Sequence, residues 1–248
     1  MKHFTKVNIL GINFLNITQQ TFLNTLEQEI NLHHNCFVVT ANPEIVLLAR
    51  KNHRYQQIIN HADYVTADGI GIIKGAKILN QPLPERITGY DTMLNLLDFA
   101  NRNHKKVYFL GAQPAVIKAL IPIIQQKYPQ LIIAGFHDGY FKDPQPILTE
   151  IKAAQPDIVF AALGFPKQEY FINQYREVSN SLWMGVGGSF DVLAGKVKRA
   201  PQFWIKHHLE WLYRLIQEPS RFKRMLALPK YLILIYREKF ARHKKRKA

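Results

Sequence analysis

At 248 residues with 47% hydrophobic content, the chain can bury one substantial core, and the open point is whether its last fifth joins that core. The net charge of +15 is uneven: residues 1–195 carry 17 Lys/Arg against 15 Asp/Glu, residues 196–248 carry 16 against 3, so a near-neutral body precedes a cationic end suited to an anionic partner. The single Cys36 excludes an intramolecular disulfide and a cysteine zinc cluster, which fits a reducing compartment.

Residues 1–18 hold no continuous apolar stretch of the signal-peptide kind, so the expected location is the cytosol. A strand is predicted over 37–40, running into Ala41-Asn42-Pro43-Glu44, with a helix over 45–55 opened by Pro43. A second strand, 64–66, runs into Ala67-Asp68-Gly69-Ile70-Gly71. Residues 106–110 end at Gly111, and 114–128 have helical spacing. Three more buried strands are expected at 131–135, 157–163 and 182–186, with a helix between each pair. This alternation predicts an α/β fold, a Rossmann-like parallel sheet with helices on both faces, over residues 1–195. Residues 196–248 then form a helical, basic, aromatic-rich appendage. Its longest apolar stretch, 231–236, is far below the ~18 residues of a spanning helix, so the expected membrane contact is peripheral.

In such sheets ligands bind beyond the carboxyl ends of the strands. Asp68, between a strand and two glycines, is placed as a general base or, equally well, as a helix cap. Thr40 and Asn42 offer a hydroxyl and an amide over the same pocket, though both are also ordinary helix-start residues. Arg86 follows a Pro-x-Pro loop and has the donor geometry for a phosphate clamp; a plain surface arginine is the alternative. Gly164-Phe-Pro166-Lys-Gln168 starts a helix directly after a strand, and Gly185-Val-Gly187-Gly188-Ser189-Phe-Asp191 repeats the design one strand later. Two neighbouring anion-friendly turns suggest a diphosphate. Neither is a dinucleotide fingerprint or a Walker loop. No Asp-x-Asp occurs, so neither a metal–diphosphate bridge nor any other metal site or cofactor is expected. His33-His34 and His207-His208 read as surface or interface residues.

In the appendage, Phe203, Trp204, Leu209, Trp211, Leu212, Leu215 and Ile216 are interleaved with Lys206, Arg214, Arg221 and Arg224. Either this is a helix packing an aromatic face on the core, or an amphipathic element lying on anionic lipid with its arginines at phosphate groups. RNA is the third option for a basic aromatic surface, but the chain has no RNA-binding signature.

Together these pieces resemble the WecG/TagA/CpsF family of bacterial glycosyltransferases. The matching residues are Thr40-Ala-Asn42-Pro-Glu44, Ala67-Asp68-Gly-Ile-Gly71, Arg86-x-x-Gly-x-Asp91, Phe109-Leu-Gly111, Gly164-x-Pro-x-Gln168-Glu169, Gly185 to Asp191, Arg199-Ala-Pro201, Leu209-Glu-Trp-Leu-Tyr-Arg214 and Glu218-Pro-x-Arg221. They run in order from Phe37 to Arg224, a highly specific set.

The resemblance implies an inverting, metal-independent transfer of N-acetylmannosamine from a UDP-sugar donor to GlcNAc on undecaprenyl diphosphate, making the linkage disaccharide of wall teichoic acid. It gives Asp68 the base role, Thr40 and Gln168 substrate-holding roles, and Arg86 a place near the site. Arg214, Arg221 and Arg224 would belong to an appendage that closes over the site at the inner face of the cell membrane. Nucleic acid is not an expected partner, and a homo-oligomer is compatible with the chain. Within the family the alternative is another UDP-sugar such as UDP-ManNAcA. Outside it, the rival is a non-catalytic binding protein for RNA or an anionic polymer.

Overall fold

The structure, a computed structural model, describes residues 4–201, 203–204, 207, 209–217, 222 and 226–247. It opens with an antiparallel hairpin that the apolar pattern does not announce, β1 (Lys6–Ile9) and β2 (Ile12–Leu15). Leu10 and Gly11 turn it with φ of 52° and 91°, the left-handed pair that a two-residue hairpin turn requires. A leucine carries that conformation at the first position, and each strand has four residues, with Asn8 paired to Asn13 by a 2.8 Å side-chain bond. The hairpin therefore lacks both sequence cues, Asn-Gly or Asp-Gly at the turn and a long apolar alternation.

After α1 (Gln19–Asn31) and β3 (Cys36–Ala41), Pro43 opens α2 (Pro43–Lys51) with Asn42 as its cap. The helix expected to run through residue 55 breaks at Asn52, whose side chain accepts from the Tyr55 N–H at 3.0 Å and starts α3 (His53–His61). A side chain that caps a new helix competes with the running one. Then follow β4 (Tyr64–Ala67), α4 (Ile70–Ile78), α5 (Gly89–Arg102), β5 (Lys106–Gly111), α6 (Pro114–Lys127), β6 (Ile132–His137), α7 (Gln145–Ala154), β7 (Ile158–Ala162), α8 (Lys167–Tyr175), β8 (Leu182–Gly185) and the short α9 (Ser189–Leu193). The sheet is parallel throughout, in the order β4-β3-β8-β7-β5-β6, as the strand–helix alternation predicts.

Side-chain alternation with period two divides the core. Phe37, Val39 and Ala41 of β3 face one layer with Val65, Leu110, Val159 and Trp183, under α2, α3, α4, α7 and α8. Cys36 and Val38 face the other with Tyr64, Phe109, Phe160 and Met184, under α1, α5 and α6. Only β6, at the sheet's edge, leaves large apolar side chains exposed, Ile132 and Phe136.

Beyond Gly195 the described residues form a helix at Glu210–Gln217 and a C-terminal helix at Ala227–Lys247. The latter packs on α4 and α2 and inserts Tyr231 and Ile235, both fully buried, into the first core layer. α4 accepts it closely because it presents glycine there. A Cβ on Gly75 would lie 2.2 Å from the Tyr231 hydroxyl oxygen, and one on Gly71 would lie 2.8 Å from Leu228. Among the described residues, no helix is long and apolar enough to cross a membrane.

Candidate active site

Four adjacent strands, β4, β3, β8 and β7, bring their carboxyl ends side by side, and the predicted residues gather there. Asp68 is the first residue past β4, its N–H donating to Ala41 O of β3 at 2.9 Å. Gly69, at φ 110°, then turns the chain into α4, a conformation that favours glycine. The Asp68 carboxylate accepts from the Gly89 N–H at 3.2 Å, at the first residue of α5. The amino end of a fourteen-residue helix thus faces it, a favourable place for negative charge. Thr88 caps α5 through the Asp91 N–H at 3.1 Å.

Arg86 reaches the same carboxylate from the loop before α5, with Nε 3.8 Å from Asp68 Oδ1 and Nη2 bonded to Glu210 Oε2 at 2.8 Å. Burial opposes its charge, but Asp68, Glu210 and Asp91 outweigh burial and hold the guanidinium above its ordinary pKa. Its buried Nε makes no hydrogen bond. A cation set between two carboxylates, with one donor unspent, can be redirected toward a phosphate. Glu210 belongs to the Leu209-Glu-Trp-Leu-Tyr-Arg214 motif, but its pairing with Arg86, 124 positions away in sequence, leaves no local trace.

Thr40, near the end of β3, stands against α5: a Cβ on Gly89 would come within 2.6 Å of its Oγ1. Asn42 caps α2, its Oδ1 accepting from the Ile45 N–H at 3.1 Å, the helix-start role that the sequence held open beside a ligand role.

Gln168 is buried at the start of α8 and ties two loops together. Its Oε1 accepts from the Gly187 N–H at 3.0 Å and its Nε2 donates to Glu169 Oε1 at 2.7 Å. The Gly187 N–H, one of the donors expected for an anion, is therefore engaged by a side chain. Gly188 precedes α9, and Asp191 lies within that five-residue helix, its carbonyl accepting from the Lys196 and Val197 N–H groups at 2.9 and 3.1 Å. Gln168 contacts Gly185 as well, where a Cβ would meet its Nε2 at 2.6 Å.

Glu169 ends the Gly164-x-Pro-x-Gln168-Glu169 motif. It is 2% exposed and accepts a 3.1 Å bond from the Tyr55 hydroxyl in addition to that from Gln168. Burial pushes its carboxyl up to about 7, against the lowering effect of the two hydrogen bonds. Arg199, of the Arg199-Ala-Pro201 motif, pairs with Asp91 at 2.5 Å and lies 4.6 Å over the Tyr90 ring, so two separated motif pieces meet on α5. Arg214 lies in the Glu210–Gln217 helix; its side chain, like Arg221 and Arg224, lies outside the described residues.

Chemically, the site combines one carboxylate at a strand end, a helix amino terminus, a threonine hydroxyl and a redirectable arginine. That set suits deprotonation of a hydroxyl beside a charged leaving group.

A model of the glycosyl transferase WecG/TagA/CpsF family matches residues 7–245. The N-acetylglucosaminyldiphosphoundecaprenol N-acetyl-beta-D-mannosaminyltransferase of Bacillus spizizenii is 42% identical over 232 residues, covering 93% of this chain and 90% of the relative. The proteins of the same name from Bacillus subtilis and Staphylococcus aureus strain MW2 are 40% and 38% identical, over 93% and 98% of this chain and 91% and 96% of theirs.

Proposed function

This chain belongs to the WecG/TagA/CpsF family of glycosyl transferases, and on that premise we propose that it moves N-acetylmannosamine from UDP-ManNAc to GlcNAc-diphospho-undecaprenol, making the linkage unit of wall teichoic acid. The observation that carries this reading is near-full-length similarity to transferases of that name in three species.

Inversion at the anomeric carbon needs one base to take the proton of the acceptor hydroxyl while UDP departs from the opposite face. Asp68 fills that role, at a strand end and oriented by the Gly89 N–H. Arg86 turns from Asp68 and Glu210 toward the developing diphosphate charge, and Arg214, Arg221 and Arg224 add to that stabilisation. Thr40 and Asn42 line the sugar side. Gln168 shapes the Gly187-Gly188 turn beside the donor, with Asp191 at its end. The functional division runs at Gly195, with a catalytic body before it and an appendage after it that holds the protein to the anionic inner face of the membrane.

The test is acceptor-dependent UDP release by the purified full-length chain, given UDP-ManNAc and a GlcNAc-diphospho-prenol. Release only when both are present is expected. Release with UDP-ManNAcA alone would reassign the donor, and no release with any UDP-sugar would leave a binding protein.

A further inference from the structure

We propose that Glu169 is a positioning residue of the donor site, its carboxylate fixing the Gln168 side-chain amide in the one orientation that holds the Gly187 turn. This rests on the function proposed above.

Gln168 joins the ends of two paired strands, β7 and β8. Its backbone N–H donates to Gly164 O, just past β7, at 2.9 Å, and its side-chain Oε1 accepts from the Gly187 N–H, just past β8, at 3.0 Å. The rest of the β8 turn is tied down by its own neighbours. The Val186 N–H donates to Ala161 O at 2.9 Å, and Ser189 donates to Val186 O through its N–H at 3.1 Å and its hydroxyl at 2.6 Å. Gly187, at φ 51°, is instead held by a side chain. Among the described residues, a Cβ there would meet no atom within 4 Å, so the outer side of the turn is open to a ligand.

A side-chain amide has nearly the same shape when its oxygen and nitrogen are exchanged, so packing alone does not choose between the two orientations. The Gly187 N–H asks for the oxygen. Glu169 asks for the nitrogen, because an ionised carboxylate only accepts, and its Oε1 takes the bond from Gln168 Nε2 at 2.7 Å. Exchanged, the amide would set two donors against each other at Gly187 and two acceptors against each other at Glu169. Gln168 and Glu169 are 6% and 2% exposed, so water is not at hand to relieve either conflict. The other carboxylate oxygen, Oε2, accepts from the Tyr55 hydroxyl of α3 at 3.1 Å, and Tyr55 is itself fully buried. A chain of buried polar groups thus runs from α3 through Glu169 and Gln168 to the β8 turn, and Glu169 acts on the turn through Gln168.

The test uses the full-length chain at a pH of about 8.5, above the value of about 7 to which burial raises this carboxyl, so that it is ionised. Glu169→Gln keeps the volume but offers Gln168 either an oxygen or an NH2 group, so both amide orientations find a partner. Hydrogen exchange of the Gly187 N–H, read by NMR, should be about tenfold faster in the variant or more. UDP binding, read by calorimetry, should weaken by about tenfold, the scale of one hydrogen bond to a charged group. In a Gln168→Ala background the same substitution should change UDP affinity by less than about twofold, since the group it acts through is gone. Unchanged Gly187 exchange, unchanged UDP affinity, or a loss that persists undiminished in the Gln168→Ala background overturns the positioning role while leaving the transferase reading intact. A wild type that binds no UDP overturns the donor reading, and the positioning role with it.

Discussion

Asp68 meets a helix amino terminus and a guanidinium at once, and its neutral isostere separates these structural contacts from proton transfer. Asparagine keeps an oxygen for the Gly89 N–H and cannot take a proton. Asp68→Asn should therefore fold and bind donor, with turnover reduced about 10²-fold or more; near-normal turnover would remove Asp68 from the base role. Glu169 is a separate matter. Its carboxyl ordinarily titrates near 4.5 and is raised by burial to about 7 in the folded chain. Between those values the folded state holds a proton that the unfolded state has released, so stability falls as pH rises through this window and is flat above it. The size is on the order of a few kcal/mol at full ionisation. Glu169→Gln has no proton to lose. Denaturation midpoints against pH should show the wild type losing ground to the variant between about 4.5 and 7; parallel curves would show that the carboxyl does not titrate there.

At the scale of elements, the central strands were legible because burial on both faces writes an apolar run into the sequence, and Asp68 and Thr40 were legible because they end such runs. The β1–β2 hairpin was not, since Leu10 takes a conformation that usually announces itself through Asn or Gly. Nor were the Gln168–Gly187 tie and the Arg86–Glu210 pair, which join distant segments. The packing of the C-terminal helix was hidden too. Its charge suggested solvent, while Tyr231 and Ile235 meet the core through α4's glycines. The Tyr231 hydroxyl is buried without a hydrogen bond, which normally costs about 1–3 kcal/mol. Tyr231→Phe should accordingly leave the melting temperature unchanged or raise it. Gly75→Ala should lower it, because a methyl at 2.2 Å from that oxygen overpacks the contact by about 1–3 kcal/mol. The double substitution should recover part of the loss, although the ring carbons stay near 3.0 Å from the new methyl. Strict additivity in this cycle would mean that the two helices do not meet here.

On the scale of the whole molecule, charge and packing divide the chain differently. The appendage from Lys196 onward holds 16 of the 33 Lys/Arg residues, yet its last helix is part of the core. Cutting the chain at Gly195 would remove Tyr231 and Ile235 from the core and uncover the buried Gly71 and Gly75 face of α4, on which Leu228 and Tyr231 pack, so a truncation confounds membrane binding with folding. Charge substitution on the exposed face avoids this. Lys230, Arg237 and Lys239 are exposed on the C-terminal helix, and none lies in the layer formed by Tyr231 and Ile235. Each basic residue near an anionic bilayer contributes about 1 kcal/mol, so replacing all three with Gln should weaken binding to phosphatidylserine vesicles by roughly 10²-fold. Raising the salt should weaken the wild type in the same direction, because the attraction decays within a Debye length of about 10 Å at 0.1 M. The variant should melt like the wild type, which separates lost attraction from lost structure. Vesicle binding that ignores both salt and the triple substitution would mean that the cationic end serves something other than the membrane surface.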